Sequence, residues 1–168
     1  ERGTMEQLLA MPVRPIEVMA GKIAPYLVIG GVQATVVLGA AKILFGVPIE
    51  GSLGLLALAT LAFITVNLAI GFTFSTIARN QLQAMQMSFF FLMPSILLSG
   101  FAFPYRGMPG WAQTLGEVLP ATHFLRVVRG LMLKGATFGD VAPEMLALAA
   151  TLIVVSTVAL LRYRNTLD

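Results

Sequence analysis

The chain has 168 residues, of which 57% are hydrophobic and 11% charged, with a formal net charge of +3. A soluble domain carries about a quarter charged residues, and a folded chain this poor in charge would leave large apolar patches facing water, so composition excludes an ordinary soluble globule and makes lipid the expected solvent. The small positive balance lacks the basic stripe of a nucleic-acid footprint, and the absence of cysteine removes disulfides, thiolate catalysis and cysteine metal sites.

Residues 1–22 are the one sizeable polar run that leads directly into a long apolar one. Thr4 and Gln7 have the spacing of a capping box, in which each side chain bonds the other's backbone amide. Met5, Leu8, Leu9 and Met11 then fall on one helical face. Pro12 ends that helix, because its nitrogen cannot donate and its ring crowds the preceding turn. Val13 and Arg14 form a turn, and Pro15 fits the first turn of a second short helix running to Gly21. The product is a kinked amphipathic unit suited to the boundary of membrane and water, either a plain interfacial helix or a surface that receives force from a soluble partner. The chain begins at Glu1 without a methionine or a signal peptide, and is expected to be a fragment.

Four spans follow. Residues 23–44 make the first, whose 22 positions cover roughly 33 Å, enough for the hydrocarbon core. Pro25 is placed in its first turn, Gln33 and Thr35 interrupt it, and Lys42 lies near enough to the far end to snorkel. A tight Gly/Pro turn over 45–52 ends in Ser52, a good N-cap for the second span at 53–77. That span carries Asn67, a helix-helix hydrogen bonder, and the small-xxx-small pair Gly71 and Ser75, which would let another helix approach closely. A very short polar turn at 78–81 makes the second and third spans neighbours. The third runs over 82–103, with Pro94 predicted to kink it and Ser95 and Ser99 placed to satisfy the freed carbonyls.

Residues 104–140 are the most irregular stretch, punctuated by Pro104, Gly107, Pro109 and Gly110. Trp111, Leu115 and Val118 predict one short helix, stopped by Pro120. Thr122 is expected to cap another over 123–133, with Arg126 and Arg129 sharing a face. Neither piece is long enough to span, so each lies in the interface or dips in and returns, which protein or a watery cavity must satisfy. Asp140 is expected to cap the last span at 143–161, closed by Arg162, Tyr163 and Arg164 as interface anchors. An even number of spans puts both ends on one side, and basic residues divide six against five between the sides, so charge alone does not orient the chain.

Little in the sequence carries chemistry. Gly21-Lys22 is followed by Ile23, and no glycine stands five residues before Gly21, so the phosphate-loop pattern fails twice. His123 is the single histidine, without the paired histidine that a metalloprotease needs, so no metal site is expected. An intramembrane enzyme would combine His123 with Glu117 or with Arg126 and Arg129; the competing reading makes it a capping or interface histidine. The two arginines otherwise suit lipid headgroups or a partner carboxylate.

Two blocks resemble a known family. Glu1-Arg2-Gly3-Thr4, Glu6-Gln7-Leu8, Pro12, Glu17 and Gly21-Lys22 are similar to the cytoplasmic loop of type-2 ABC export permeases. Ser99-Gly100-Phe101, Phe103-Pro104, Met108-Pro109, the run from Leu119 through Phe124, and Arg129-Gly130 look like the segment between the last two membrane helices of the drug-export branch. Together, in family order, they cover essentially the whole chain.

The resemblance implies an all-α membrane protein: four transmembrane helices, a cytoplasmic amphipathic coupling segment at 1–22, and a re-entrant or interfacial helical segment before the last span. It further implies a bacterial inner-membrane, multi-pass permease, preceded in the full-length chain by a membrane helix, a large extracytoplasmic domain and another helix. Both ends of this chain would be cytoplasmic and 104–140 outside. The partners implied are an ATP-binding subunit, carrying ATP and magnesium, and a second permease copy or a homologue; this chain would hold no cofactor. Glu6, Leu8, Leu9, Met11, Arg14 and Glu17 become the expected docking surface, and Pro104, Pro109, Pro120, His123, Arg126 and Arg129 the expected gate. Cargo would be hydrophobic drugs, lipids or similar molecules. The alternatives are the intramembrane enzyme using His123 and a non-transporting membrane anchor or assembly protein.

Overall fold

The computed structural model describes residues 15–165. Glu6, Leu8, Leu9, Met11 and Arg14, and the helix expected to begin at Thr4, lie outside the described residues. The described residues form six α-helices and no strand: α1 Pro15–Phe45, α2 Leu53–Ile77, α3 Gln81–Leu98, α4 Gly110–Val118, α5 Pro120–Lys134 and α6 Phe138–Asn165, with a 3-10 turn at Tyr105–Gly107. Among the described residues four stretches are long and apolar enough to cross a membrane: Ala20–Phe45, Leu53–Ile77, Gln81–Leu98 and Phe138–Leu161.

Helix α2 is the centre of the bundle, packed against α1, α3, α5 and α6. The Ser52 side chain accepts from the Leu55 amide and starts α2, as its position predicts. Thr60, Thr73 and Asn67 each donate to the carbonyl four residues back, at 2.7, 2.8 and 2.8 Å. Asn67 therefore bonds its own helix. These internal bonds let a helix with polar side chains sit among apolar neighbours. Among the described residues no buried side-chain nitrogen or oxygen lacks a partner. Gly71 and Ser75 are exposed, and a Cβ on Gly71 would meet nothing within 4 Å. A close approach to α2 is made instead at Gly30 of α1, where a Cβ would come within 3.0 Å of Ile64.

Three boundaries differ from the sequence expectation. The short helix from Pro15 and the first span are one continuous helix, because no residue between Gly21 and Pro25 breaks it. Pro25 consequently lies in the helix interior, where it leaves the Gly21 carbonyl without its helical donor. Helix α3 stops at Leu98, short of Phe103, where Gly100 turns the chain at φ +87°. Pro94 lies within α3, and the Ser95 hydroxyl donates to the Phe91 carbonyl, one residue beyond the Phe90 carbonyl that the proline frees. The last helix begins at Phe138, ahead of Pro143. Its cap is Thr137, whose amide and hydroxyl both reach the Asp140 carboxylate at 2.8 Å, so Asp140 closes a capping-box pattern from inside the first turn.

The buried core joins Leu56 and Ala59 of α2 to Val127, Leu131 and Met132 of α5 and Val141 of α6. It lies at the end of the bundle that holds the α1–α2 loop. The Gly51 and Glu50 amides in that loop donate to the Leu131 and Met132 carbonyls at 2.8 and 3.3 Å, covering acceptors that the C-terminus of α5 would leave open. A Cβ on Gly51 would stand 2.7 Å from the Leu131 oxygen, so only glycine admits this contact.

Candidate functional site

Helices α4 and α5 form a hairpin inserted between the spans. At 1.5 Å per residue they are about 14 and 22 Å long, too short to cross. The C-terminus of α5 is held at the α1–α2 loop, while Phe124 near its start stacks on Phe63 of α2, with ring centroids 4.2 Å apart. Phe63 stands ten residues, about 15 Å, into α2. The hairpin therefore dips well into the bundle and returns to the end it came from. Its turn follows from Pro120, which ends α4 and sits in the first turn of α5, where its missing N–H costs nothing. Thr122 is not a cap: α5 begins before it, and its buried hydroxyl donates to the Gly116 carbonyl at 2.6 Å.

Polar side chains tie this hairpin to its neighbours. His123, on the buried face of α5, presents Nδ1 to the Glu144 carboxylate of α6 and Nε2 to the Glu117 carbonyl at 2.8 Å. Arg126, one turn along α5, donates to both carboxylate oxygens of Glu117 and to Glu144 Oε1 at 3.3 Å. The Arg126 guanidinium also lies over the Tyr105 ring, 4.7 Å from its centroid. The Tyr105 hydroxyl is 2.6 Å from Glu117 Oε1 and 2.7 Å from the Gln113 carbonyl. Arg129 donates to the Gly100 carbonyl at 3.0 Å and so fastens the turn that ends α3. Gly116 packs at the same place, where a Cβ would come within 2.7 Å of the Leu98 oxygen.

The Arg126 hydrogen bonds hold the Glu117 carboxyl well below the usual carboxylate range, at about 2. Glu117 in turn raises the Arg126 guanidinium further above neutrality. Burial, with Glu117 beside it, pushes the Tyr105 phenol up.

The structure thus brings together three of the expected gate residues, His123, Arg126 and Pro120, and sends Arg129 to a different partner. Pro104 and Pro109 precede the 3-10 turn and α4 respectively. Glu17 lies exposed in the first turn of α1. Sequence reasoning missed Glu144 and Tyr105. Glu144 was legible as a lone carboxylate at the start of an apolar helix, a place where charge requires a partner; starting that span at Pro143 made it look like a boundary residue. Beside the hairpin tip, a cavity of about 400 Å³ opens between α2, α3 and α5, lined by Phe63, Asn67, Phe74, Phe91 and Phe124 among others.

A bundle of four long apolar helices with a short helical pair before the last is the architecture of an all-helical, multi-pass membrane protein. Residues 1–133 match the family described as ABC-2 type transporter, and the chain belongs to that family. It is 36% identical over 171 residues to the inner membrane transport permease YhhJ of Escherichia coli (strain K12), across 99% of this chain and 45% of that protein. The probable multidrug ABC transporter permease YbhR of the same organism is 34% identical over 137 residues, covering 82% of this chain and 37% of its own length. ABC transporter G family member 20 of Dictyostelium discoideum is 34% identical over 133 residues, 79% of this chain and 18% of that protein. The chain therefore spans less than half the length of these curated relatives. No solved structure matches it.

Proposed function

We propose that this chain is the C-terminal part of the membrane subunit of an ATP-driven exporter in the bacterial inner membrane. Two copies, or one copy and a homologue, form the path, and separate ATP-binding subunits dock on the cytoplasmic side. Closure of those subunits on ATP pushes the amino-terminal unit, and the spans switch between two packings. The α4–α5 hairpin gates the outer exit. The observation that carries this reading is the continuity of α1, which runs without a break from Pro15 to Phe45 and is followed by a loop bonded to the hairpin. The cargo is hydrophobic, drug-like or lipid-like. The aromatic-lined cavity beside the hairpin tip suits such molecules, and a relative is named as a probable multidrug permease.

The test is ATPase stimulation in the reconstituted complex. Leu9→Asp and Glu6→Arg are expected to uncouple hydrolysis from transport. Unchanged assembly and unchanged transport-coupled hydrolysis in both would remove the coupling role. The enzyme reading is disfavoured by His123 itself, which is buried with both ring nitrogens engaged by protein oxygens. Full loss of a measurable membrane hydrolase activity in His123→Ala, with no export at all in wild type, would revive it. The anchor reading predicts that no ATP-binding protein copurifies.

A further inference from the structure

Both ring nitrogens of His123 meet acceptors. Nε2 is 2.8 Å from the Glu117 carbonyl oxygen, and Nδ1 contacts Glu144 Oε2. A carbonyl oxygen carries no hydrogen, so Nε2 donates. A neutral imidazole then has only a lone pair at Nδ1, and an ionised carboxylate offers only lone pairs in return. The contact therefore requires a second hydrogen between Nδ1 and Oε2, held as imidazolium against carboxylate or as imidazole against carboxylic acid.

The surroundings agree with that count. Facing the pair are Arg126 from α5, Glu117 from α4 and Tyr105 from the 3-10 turn. Helices α2 and α3, which also pack on α5, carry no titratable side chain. Arg126 holds Glu117 ionised, so Glu117 does not store the hydrogen. With the extra proton, two carboxylates balance the guanidinium and the imidazolium and the cluster is neutral. Without it, a net negative charge is left at a histidine whose side chain is only 11% exposed, where an uncompensated charge is disfavoured.

We propose that His123 and Glu144 bind one proton between them at neutral pH, and that this proton latches the re-entrant helix α5 to the last membrane helix α6. Loss of that proton sets the Nδ1 lone pair against the Glu144 carboxylate and loosens the hold of α5 on α6, leaving the Arg126–Glu144 bond and the apolar packing between them. The proposal is independent of what the permease carries and of its ATP-binding partner.

Hydrogen–deuterium exchange of residues 120–134 in the full-length permease in lipid nanodiscs tests it, with rates corrected for the intrinsic effect of pH. Protection is expected to fall by at least roughly tenfold between neutral and strongly alkaline pH. In Glu144→Gln the side-chain amide donates to Nδ1 without a titrating proton, so protection is expected to persist at alkaline pH. Wild-type protection that ignores pH, or a Glu144→Gln profile with the wild-type midpoint, overturns the proposal. Nitrogen-15 NMR of the labelled wild-type permease, with the His123 signals assigned by their loss in His123→Gln, serves as a check that needs no folded Glu144 variant. At neutral pH it is expected to show two protonated ring nitrogens, or one with infrared absorption from a protonated Glu144. A bare Nδ1 beside an ionised Glu144 overturns the proposal.

Discussion

At Gly51 a single missing methyl decides whether a loop and a helix end can meet. Its amide donates to the Leu131 carbonyl, and a Cβ there would be 2.7 Å from that oxygen. Gly51→Ala is expected to lower stability by about 1–3 kcal/mol, the usual effect of overpacking, read as a lower unfolding midpoint in detergent. Glu117 gives a pH-dependent test of opposite character. Its folded pKa is depressed from 4.5 to about 2, so its contribution is fully present above about 4.5 and is lost as pH falls through about 2. The melting temperature of wild type is expected to fall more steeply below pH 4.5 than that of Glu117→Gln, with the two curves parallel between pH 5 and 8. Because the Glu117 side chain is 46% exposed, solvent screening keeps the difference small. Of these residues, His123, Arg126 and Glu117 stood out in the sequence as polar groups in an apolar chain. Gly51 and Gly116 did not, since a close backbone approach depends on which segments meet, and that is a property of the folded bundle.

Helix existence was readable for physical reasons: each span is an apolar run of membrane length bounded by cap or turn residues, and both short helices are punctuated by proline. Helix ends were less so. The sequence reading takes Asp140 as the start of the last helix, and only the bonds from Thr137 to its carboxylate show that Thr137 is the cap and Asp140 its inner partner. Thr137→Ala is expected to cost about 1 kcal/mol and to fray the first turn of α6, measured by unfolding and by exchange at 138–141. Pro25 was misplaced for a related reason. A proline reads as a helix start wherever an apolar run begins, but α1 begins ten residues earlier, in polar sequence that helical geometry tolerates.

For the whole molecule, the six-against-five division of basic residues left the sidedness open, because arginines of the hairpin are counted as if they sought headgroups. In the structure Arg126 and Arg129 are bound to protein acceptors. Removing them from the count leaves three basic residues, Lys42, Arg106 and Lys134, on the hairpin side and favours the two chain ends inside. Single-cysteine variants check this. Lys134→Cys is expected to react with an impermeant thiol reagent added to intact cells and Arg79→Cys only after permeabilisation; the reverse pattern inverts the topology.

The bonds from Glu50 and Gly51 to the end of α5 give α1 the character of a connecting rod. It is about 46 Å long, with a single proline joint at Pro25, and its upper bearing is the loop clipped to the hairpin. Under the proposed coupling, axial travel at the Pro15 end would either flex at that joint or lift the clip. A stiffer joint, as in Pro25→Ala, would therefore transmit a larger share of the stroke to the far leaflet.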